Sequence, residues 1–336
     1  MKKKVFFRCD ASKEVGLGHL TRCISLAFIL KNDFQISFLF KSPASQSVEL
    51  LNGLFQFIEL KSCDLTNEVI EVKQFLSGED ILVIDGYQFT DDYFRALNDE
   101  GVKLVLVDDY GKEYPYARVV INHALGLVNN HQTSETKYCL GEKYVMLRPP
   151  FLQKAKEERV VGKVKGVFVC FGGADFYNIT LKILQAFEEG KSDLAIHVVL
   201  ASTFPFHKEV ERFVEEAKIK CYLHYNLDAE QMASLMAECE VAVAPASSLS
   251  YEVCAIGMGF IGGYYVDNQI GIHDGLEQRE SMLSMGDLRQ FNSSDFMLVT
   301  NGLITNVFKI QAMVHAQRKI VDGNSDKNIL AVFEAI

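Results

Sequence analysis

The sequence is poor in the features that mark a secreted, membrane-bound or nucleic-acid-binding chain. Its eight cysteines (Cys9, Cys23, Cys63, Cys139, Cys170, Cys221, Cys239 and Cys254) are scattered, with no Cys-x-x-Cys pair, and several stand inside apolar runs. They read as buried free thiols of a reducing compartment. No apolar run approaches the length of a membrane span. The opening residues, Lys2-Lys3-Lys4 and then Arg8, lack the apolar core of a signal peptide, so a cytoplasmic location is expected. Excess positive charge is missing too. With 34 basic and 44 acidic residues the net charge is −10, which argues against a nucleic-acid or membrane surface. No dinucleotide-binding fingerprint and no Walker loop is read along the chain. The spacing of histidines with cysteines and acids supports no metal site, and no cofactor is expected.

What is present is a chain of 336 residues, 49% hydrophobic, more than one core usually serves. Two α/β domains are expected. Val5-Phe6-Phe7 is a short apolar run, followed by a glycine-bearing loop and then Leu20, Cys23, Ile24, Ala27 and Phe28 at helical spacing. Ile36–Phe40, Ile81–Ile84 and Leu104–Val107 continue as strands, with helices near Glu68–Leu76 and Asp91–Asn98. After Arg148-Pro149-Pro150 and the charged stretch Lys154–Arg159 the rhythm restarts with Val167–Phe171, Ile196–Leu200, Cys221–His224 and Val241–Ala244. Alternating strands and helices mean parallel sheets. The boundary falls near residues 150–163, giving a first Rossmann-like domain over 1–155 and a second over 160–336, the latter ending in a helical extension from about Leu303. Two such domains side by side would bind ligands in a cleft at their strand C-termini.

Chemistry-bearing residues gather where those strands end. The loop Asp10–Gly18 delivers His19 to the first turn of a helix, after Gly16 and Gly18 have made room for a ligand against the backbone. The positive helix end disfavours imidazolium, so the ring is suited to accept a proton. Arg22, one turn on, would neutralise phosphate or carboxylate charge. The competing reading is a capping histidine and a solvated arginine. Gly172-Gly173, between strand and helix, is either a phosphate cradle or an ordinary tight turn, with Asp175 or Asn178 capping the helix that follows. Ser247 and Ser248 stand at another helix start, where Glu252 either accepts from a ribose diol or matches the helix dipole. The polar, aromatic run Tyr264-Tyr265-Val266-Asp267-Asn268-Gln269 stays ambiguous by itself. Asp85 and the pair Asp108-Asp109 end apolar strands. Alternation turns at most one of the pair toward a ligand, and turn formation is the alternative for all three.

Taken in order, these segments resemble a known family. Arg8-Cys9-Asp10-Ala11-Ser12, Gly16-Leu17-Gly18-His19-Leu20-Thr21-Arg22, Asp108-Asp109, Leu147-Arg148-Pro149, Gly172-Gly173-Ala174-Asp175, Ala246-Ser247-Ser248 to Glu252, and Asn268-Gln269 are similar to the UDP-sugar hydrolases of the pseudaminic acid pathway. Those are relatives of the glycosyltransferase of lipid II synthesis and of spore-coat polysaccharide proteins. The resemblance implies a GT-B architecture, no metal, and hydrolysis of a UDP-activated amino or deoxy sugar at the anomeric C1–O bond. It makes His19 the general base, places Asp10 in the catalytic loop and Asn268 near the sugar, and puts the UDP site at Gly172, Gly173, Ser247, Ser248 and Glu252. Asp85, Tyr87, Asp109, Asp175 and Gln269 join Gly16, Gly18 and Arg22 as expected substrate contacts. The chain departs from the family at Asp85-Gly86-Tyr87, where Asp-His-Tyr is usual, and at Ile261-Gly262-Gly263-Tyr264-Tyr265. Two other readings stand beside the hydrolase: a GT-B glycosyltransferase in which His19 deprotonates an acceptor, and a non-catalytic nucleotide-sugar-binding protein.

Overall fold

Apolar runs of strand length separated by helix-period segments have one common solution, parallel strands buried on both faces by their crossover helices. The computed structural model, which describes residues 2–10, 18–43, 45–51, 53–127, 135–173 and 175–336, adopts it twice. The first unit runs β1 (Lys4–Cys9), α1 (Gly18–Leu30), β2 (Gln35–Lys41), α2 (Ser45–Leu51), β3 (Gln56–Leu60), α3 (Leu65–Lys73), β4 (Ile81–Asp85), α4 (Asp91–Asp99), β5 (Lys103–Val107), β6 (Val119–Asn122) and β7 (Lys137–Leu140). Its strands pair in parallel in the order β3-β2-β1-β4-β5-β6-β7. Alternation sorts the side chains between the two faces. Val5 and Phe7 pack with Leu20, Cys23 and Ala27 of α1, whereas Phe6, Leu82 and Leu104 pack with Val72 of α3 and Tyr93 and Leu97 of α4.

The second unit runs α5 (Pro149–Lys156), β8 (Gly166–Val169), α6 (Ile179–Glu189), β9 (Ala195–Leu200), α7 (His207–Glu216), β10 (Lys220–Tyr225), α8 (Ala229–Glu238), β11 (Val241–Pro245), α9 (Ser248–Ile256), β12 (Gly259–Tyr264), α10 (Ile270–Gln278), β13 (Leu283–Asp287), α11 (Ser293–Ile304) and α12 (Val307–Ile320). Its parallel order, β10-β9-β8-β11-β12-β13, repeats the pattern of the first sheet. In each sheet the winding reverses once, between β1 and β4 and between β8 and β11. Loops leaving the C-terminal ends of those neighbours diverge and open a crevice. Among the described residues no helix is long and apolar enough to cross a membrane.

Three details differ from the sequence reading. The last helix, α13 (Ser325–Glu334), does not extend the second domain: the compact units are Met1–Arg148 with Ser325–Ile336, and Pro149–Asn324. Ile329, Val332 and Phe333 enter the core beside α1, with Phe333 edge-on to Phe34 at 6.3 Å. An apolar stripe reveals that a helix buries one face, and nothing in it says against which sheet. Gly257-Met258-Gly259-Phe260-Ile261-Gly262 does carry Gly-x-Gly-x-x-Gly spacing. It runs from the C-cap of α9 into β12, helix to strand, the reverse of a phosphate-binding turn. The atypical Gly262-Gly263 has a packing cause. A Cβ on Gly262 would press on Met282 Sδ and Ala244 O, and one on Gly263 on Gly286 O and Leu288. Here β12 and β13 lie close and their register shifts between Gly262 and Tyr264.

Candidate functional site

In the first unit the crevice is set by β1 and β4, whose last residues, Cys9 and Asp85, lie side by side. Residues 11–17, Gly16 among them, lie outside the described part. The chain is described again from Gly18, the first residue of α1, so His19 sits in the first helical turn facing the end of β4. His19 is buried, and its Nδ1 lies 2.5 Å from Asp85 Oδ1. Arg22, one turn further on the same face, donates from Nε to Asp85 Oδ2 at 2.5 Å and from Nη2 to Asp85 Oδ1 at 2.6 Å. Its Nη1 reaches Asp109 Oδ1 at 2.5 Å, and Tyr87 donates to Asp109 Oδ2 at 2.6 Å. The Tyr87 ring stands edge-on to the His19 ring at 4.6 Å, closing the cluster.

This geometry gives three of the expected contact residues partners within the unit. Asp85 is fully buried and spends its oxygens on His19 and Arg22. Arg22 is buried between two carboxylates, Asp85 and Asp109. Asp109 joins Arg22 to Tyr87. Alternation does separate the acidic pair: Asp108 turns the other way and accepts from the N–H groups of Tyr110 and Gly111, from Tyr114 and from Asn122, fixing the loop after β5.

The electrostatics follow from burial and pairing. Burial by itself would push the Asp85 carboxyl up. The charge and hydrogen bonds of Arg22, aided by His19, outweigh it and hold Asp85 well below the usual carboxylate range. Asp109 is lowered the same way, against burial, chiefly by Arg22. Both stay ionised at neutral pH. His123, just past β6, is a further buried ring in the field of these groups. Burial, reinforced by the charge of Arg22, depresses it to about 4 and keeps it neutral. Its place at a strand end was the one sequence signal for it, and the search for metal spacing passed over it.

Asp10 has a supporting set of partners. Its carboxylate meets Arg8 Nη1 at 2.6 Å and accepts from the Lys41 N–H and from Gln88. Arg8 in turn is buried against Glu68 at 2.7 Å, and Tyr93 donates to the same carboxylate at 2.9 Å. These bonds tie the end of β1 to β2, α3, α4 and the loop after β4.

In the second unit the sequence-derived candidates divide. Gly172 has φ +72°, a backbone state glycine adopts without strain. Gly173 has a steric reason: a Cβ there would overlap Thr203 Oγ1. Asp175 is a cap. Buried, it accepts from the N–H groups of Ile179 and Thr180 and from the Thr180 hydroxyl, each at 2.8 Å. The N-terminus of α6 is thus capped by a side chain of its own loop. At α9 the capping group is the neutral Ser247 hydroxyl, and the first turn holds no acid. Ser248 opens that helix, and Glu252 is buried on its second turn. Gln269 accepts from the Tyr265 N–H at 3.0 Å and so shapes its own loop, in which Asn268 lies half-buried. Among the described residues one group has ligand atoms close enough to share a cation, His273, Asp274 and Glu277, a spacing the sequence reading missed. Ring bonds to Asp274 at 2.8 Å and to Ser284 at 2.7 Å satisfy that histidine without an ion.

No protein-family model matches the chain. It is 29% identical over 274 residues to the UDP-2,4-diacetamido-2,4,6-trideoxy-beta-L-altropyranose hydrolase of Campylobacter jejuni, covering 79% of this chain and 93% of that protein. It is 26% identical over 302 residues to an uncharacterised protein of Methanocaldococcus jannaschii, covering 85% of this chain but only 61% of that longer protein. Among solved structures, MurG of Acinetobacter baumannii superposes with a TM-score of 0.66 at 12% identity, over 99% of this chain and 100% of that one. A UDP-glucosyltransferase of Polygonum tinctorium gives 0.68 at 13% identity, over 99% of each chain. The fold is therefore that of the GT-B glycosyltransferases, and the resemblance to the hydrolase holds along most of the sequence.

Proposed function

We propose that the protein is an enzyme that cleaves the anomeric C1–O bond of a UDP-activated sugar with water, releasing UDP and the free sugar. The observation that carries this reading is the buried 2.5 Å contact between His19 Nδ1 and Asp85 at the β1/β4 crevice. A carboxylate on Nδ1 fixes the tautomer and leaves Nε2 as the nitrogen that takes up a proton, the logic of a base oriented by a third group. Likeness to the Campylobacter hydrolase supports the substrate class.

In this mechanism His19 Nε2 takes a proton from water as the water oxygen bonds to C1. The C1–O bonding pair leaves with the terminal phosphate of UDP, the anomeric centre inverts, and the imidazolium later returns its proton to solvent. Asp85 stabilises the imidazolium while it exists. The diphosphate fits the N-terminus of α9, where Ser247 and Ser248 present hydroxyls and N–H groups with no carboxylate in the first turn. The Gly172-Gly173 loop, Glu252 toward the ribose and Asn268 toward the sugar complete the assignment.

A second reading, transfer to an acceptor hydroxyl, is favoured by a cavity of about 320 Å³ in the first unit. Tyr87 and Asp109 line it together with Phe89, Asp91, Tyr110 and Lys112, so it adjoins the His19 cluster. A panel of UDP-sugars in oxygen-18 water separates the two. Hydrolysis gives UDP and a free sugar labelled at C1 without any acceptor, and His19→Ala lowers kcat by about 10²- to 10⁴-fold. Sugar consumption that requires an added saccharide would establish the transferase instead. Full turnover by His19→Ala would remove the proposed base.

A further inference from the structure

Two histidines of the second sheet meet side by side. β10 is an edge strand, paired in parallel with β9. In that register Tyr222 stands opposite His197 and His224 lies two residues further along β10, so all three side chains leave the same face. Their rings form a row. Tyr222 stacks on His197 at 5.1 Å and 20°, and His197 on His224 at 5.4 Å and 25°. His197 Nδ1 lies 3.1 Å from His224 Nε2. Both histidines are half-buried and Tyr222 is exposed. Sequence spacing could not show this pair, because its members are 27 residues apart on different strands.

The contact differs in kind from those of His273, whose partners are a carboxylate and a hydroxyl. Here an imidazole nitrogen faces an imidazole nitrogen, and the spacing is that of two ligands on one ion. Nitrogens about 2.0–2.1 Å from a metal and 3.1 Å apart subtend about 95–102° at it, between the square and the tetrahedral angle. Burial lowers both rings below their ordinary value, His197 with help from His224, which leaves the unprotonated nitrogens that a metal needs at neutral pH. Glu238, the last residue of α8, acts on both rings with its negative charge and favours a cation beside them.

We propose that His197 and His224 chelate a divalent transition-metal ion, each through one ring nitrogen, as a clip between β9 and the edge strand β10. Imidazole suits Cu2+, Ni2+ and Zn2+, and the common order of affinity puts Cu2+ first. Tyr222, stacked on His197, is a positioning residue that holds the ring plane. Water completes the coordination at this half-exposed place. An ion that binds the folded pair stabilises the sheet edge by mass action. None of these residues has a part in the hydrolase reading, so the two stand or fall separately.

The test uses the whole chain, free of any histidine tag, with Cu2+, Ni2+ and Zn2+ salts as probes. Calorimetric titration is expected to find one Cu2+ per chain held more tightly than Ni2+ or Zn2+. Electron paramagnetic resonance of that Cu2+ is expected to show splitting by two imidazole nitrogens, a readout on the parent that no folding defect in a variant can obscure. His197→Gln and His224→Gln, each first checked against the parent's circular dichroism spectrum, should each weaken Cu2+ binding by about 10²-fold or more, because a chelate depends on both ligands. Asp274→Asn, in the group on α10, should bind as the parent does. A parent that holds Cu2+ no more tightly than either histidine variant, or a spectrum with one nitrogen, would overturn the proposal. So would tight binding that is lost in Asp274→Asn and kept in both histidine variants. The row of Tyr222, His197 and His224 would then be packing alone.

Discussion

At the scale of single residues, folding joins side chains that the sequence could single out only one at a time. His19, Arg22, Asp85, Tyr87 and Asp109 all come together. Helical spacing links His19 with Arg22, but Asp85 is 66 residues from His19 and Asp109 is 87 from Arg22. No local rule pairs residues so far apart, so the pairing of these carboxylates with Arg22 was not legible. His123 was left without a role for the same reason, and it carries a pH dependence. Its ordinary value of 6.5 falls to about 4 in the folded protein. Above pH 6.5 both states are neutral and full stability is present. As the pH falls toward 4 the unfolded chain takes up a proton that the folded chain refuses, and stability is lost. The full drop corresponds to about 3 kcal/mol. His197 and His224, also lowered by burial but nearer solvent, add a shallower slope of the same sign. Urea unfolding at pH 7 and pH 4.5 should therefore show a marked loss that His123→Gln largely removes. An equal loss in that variant would assign the slope to other groups.

At the scale of elements, legibility did not follow burial alone: the largely exposed β10 was read and the fully buried β6 was not. Strands buried on both faces, such as β4 and β8, announce themselves as continuous apolar runs. The partly exposed β3 and the short β6 and β7 do not, and these were missed along with β12, whose Gly262-Gly263 interrupts its pattern. Helix starts were legible as capping sequences, yet capping and anion binding use the same residue types. In the structure Asp175 fills the N-terminus of α6, whereas at α9 a serine leaves the dipole unmatched by any acid in the first turn. The Gly172-Gly173 turn shows how two motives share one motif, since Gly173 is also required by the loop after β9. Gly173→Ala drives a methyl group into Thr203 Oγ1 and should cost about 1–3 kcal/mol. Adding Thr203→Ala leaves only a milder approach to that residue's Cβ at 3.1 Å and should recover most of the loss. Thermal unfolding of the single and double variants checks it. A single variant as stable as the parent would show that the β9 loop yields freely.

At the scale of the whole molecule, strand order places the loops that carry chemistry, whereas the rhythm of the sequence revealed two parallel sheets without their order. What it concealed is that the chain returns. After α12 in the second unit, α13 crosses back to cover α1, so the first unit is closed by residues from the far end of the sequence. The first unit's core, including the α1 that positions His19, is therefore finished by Ile329, Val332 and Phe333. Phe333 is fully buried. Its replacement by alanine removes the ring that meets Phe34 and leaves a cavity, a change that costs about 3–5 kcal/mol in a packed core. The loss should be local to the first unit. Hydrogen exchange in Phe333→Ala is expected to quicken at the amides of β1, β2 and β4 while those of β8 and β11 keep their protection, and a chain ended at Asn324 should show the same division more strongly. Equal acceleration in both sheets would mean that the two units open as one, and that the returning helix stabilises the molecule as a whole.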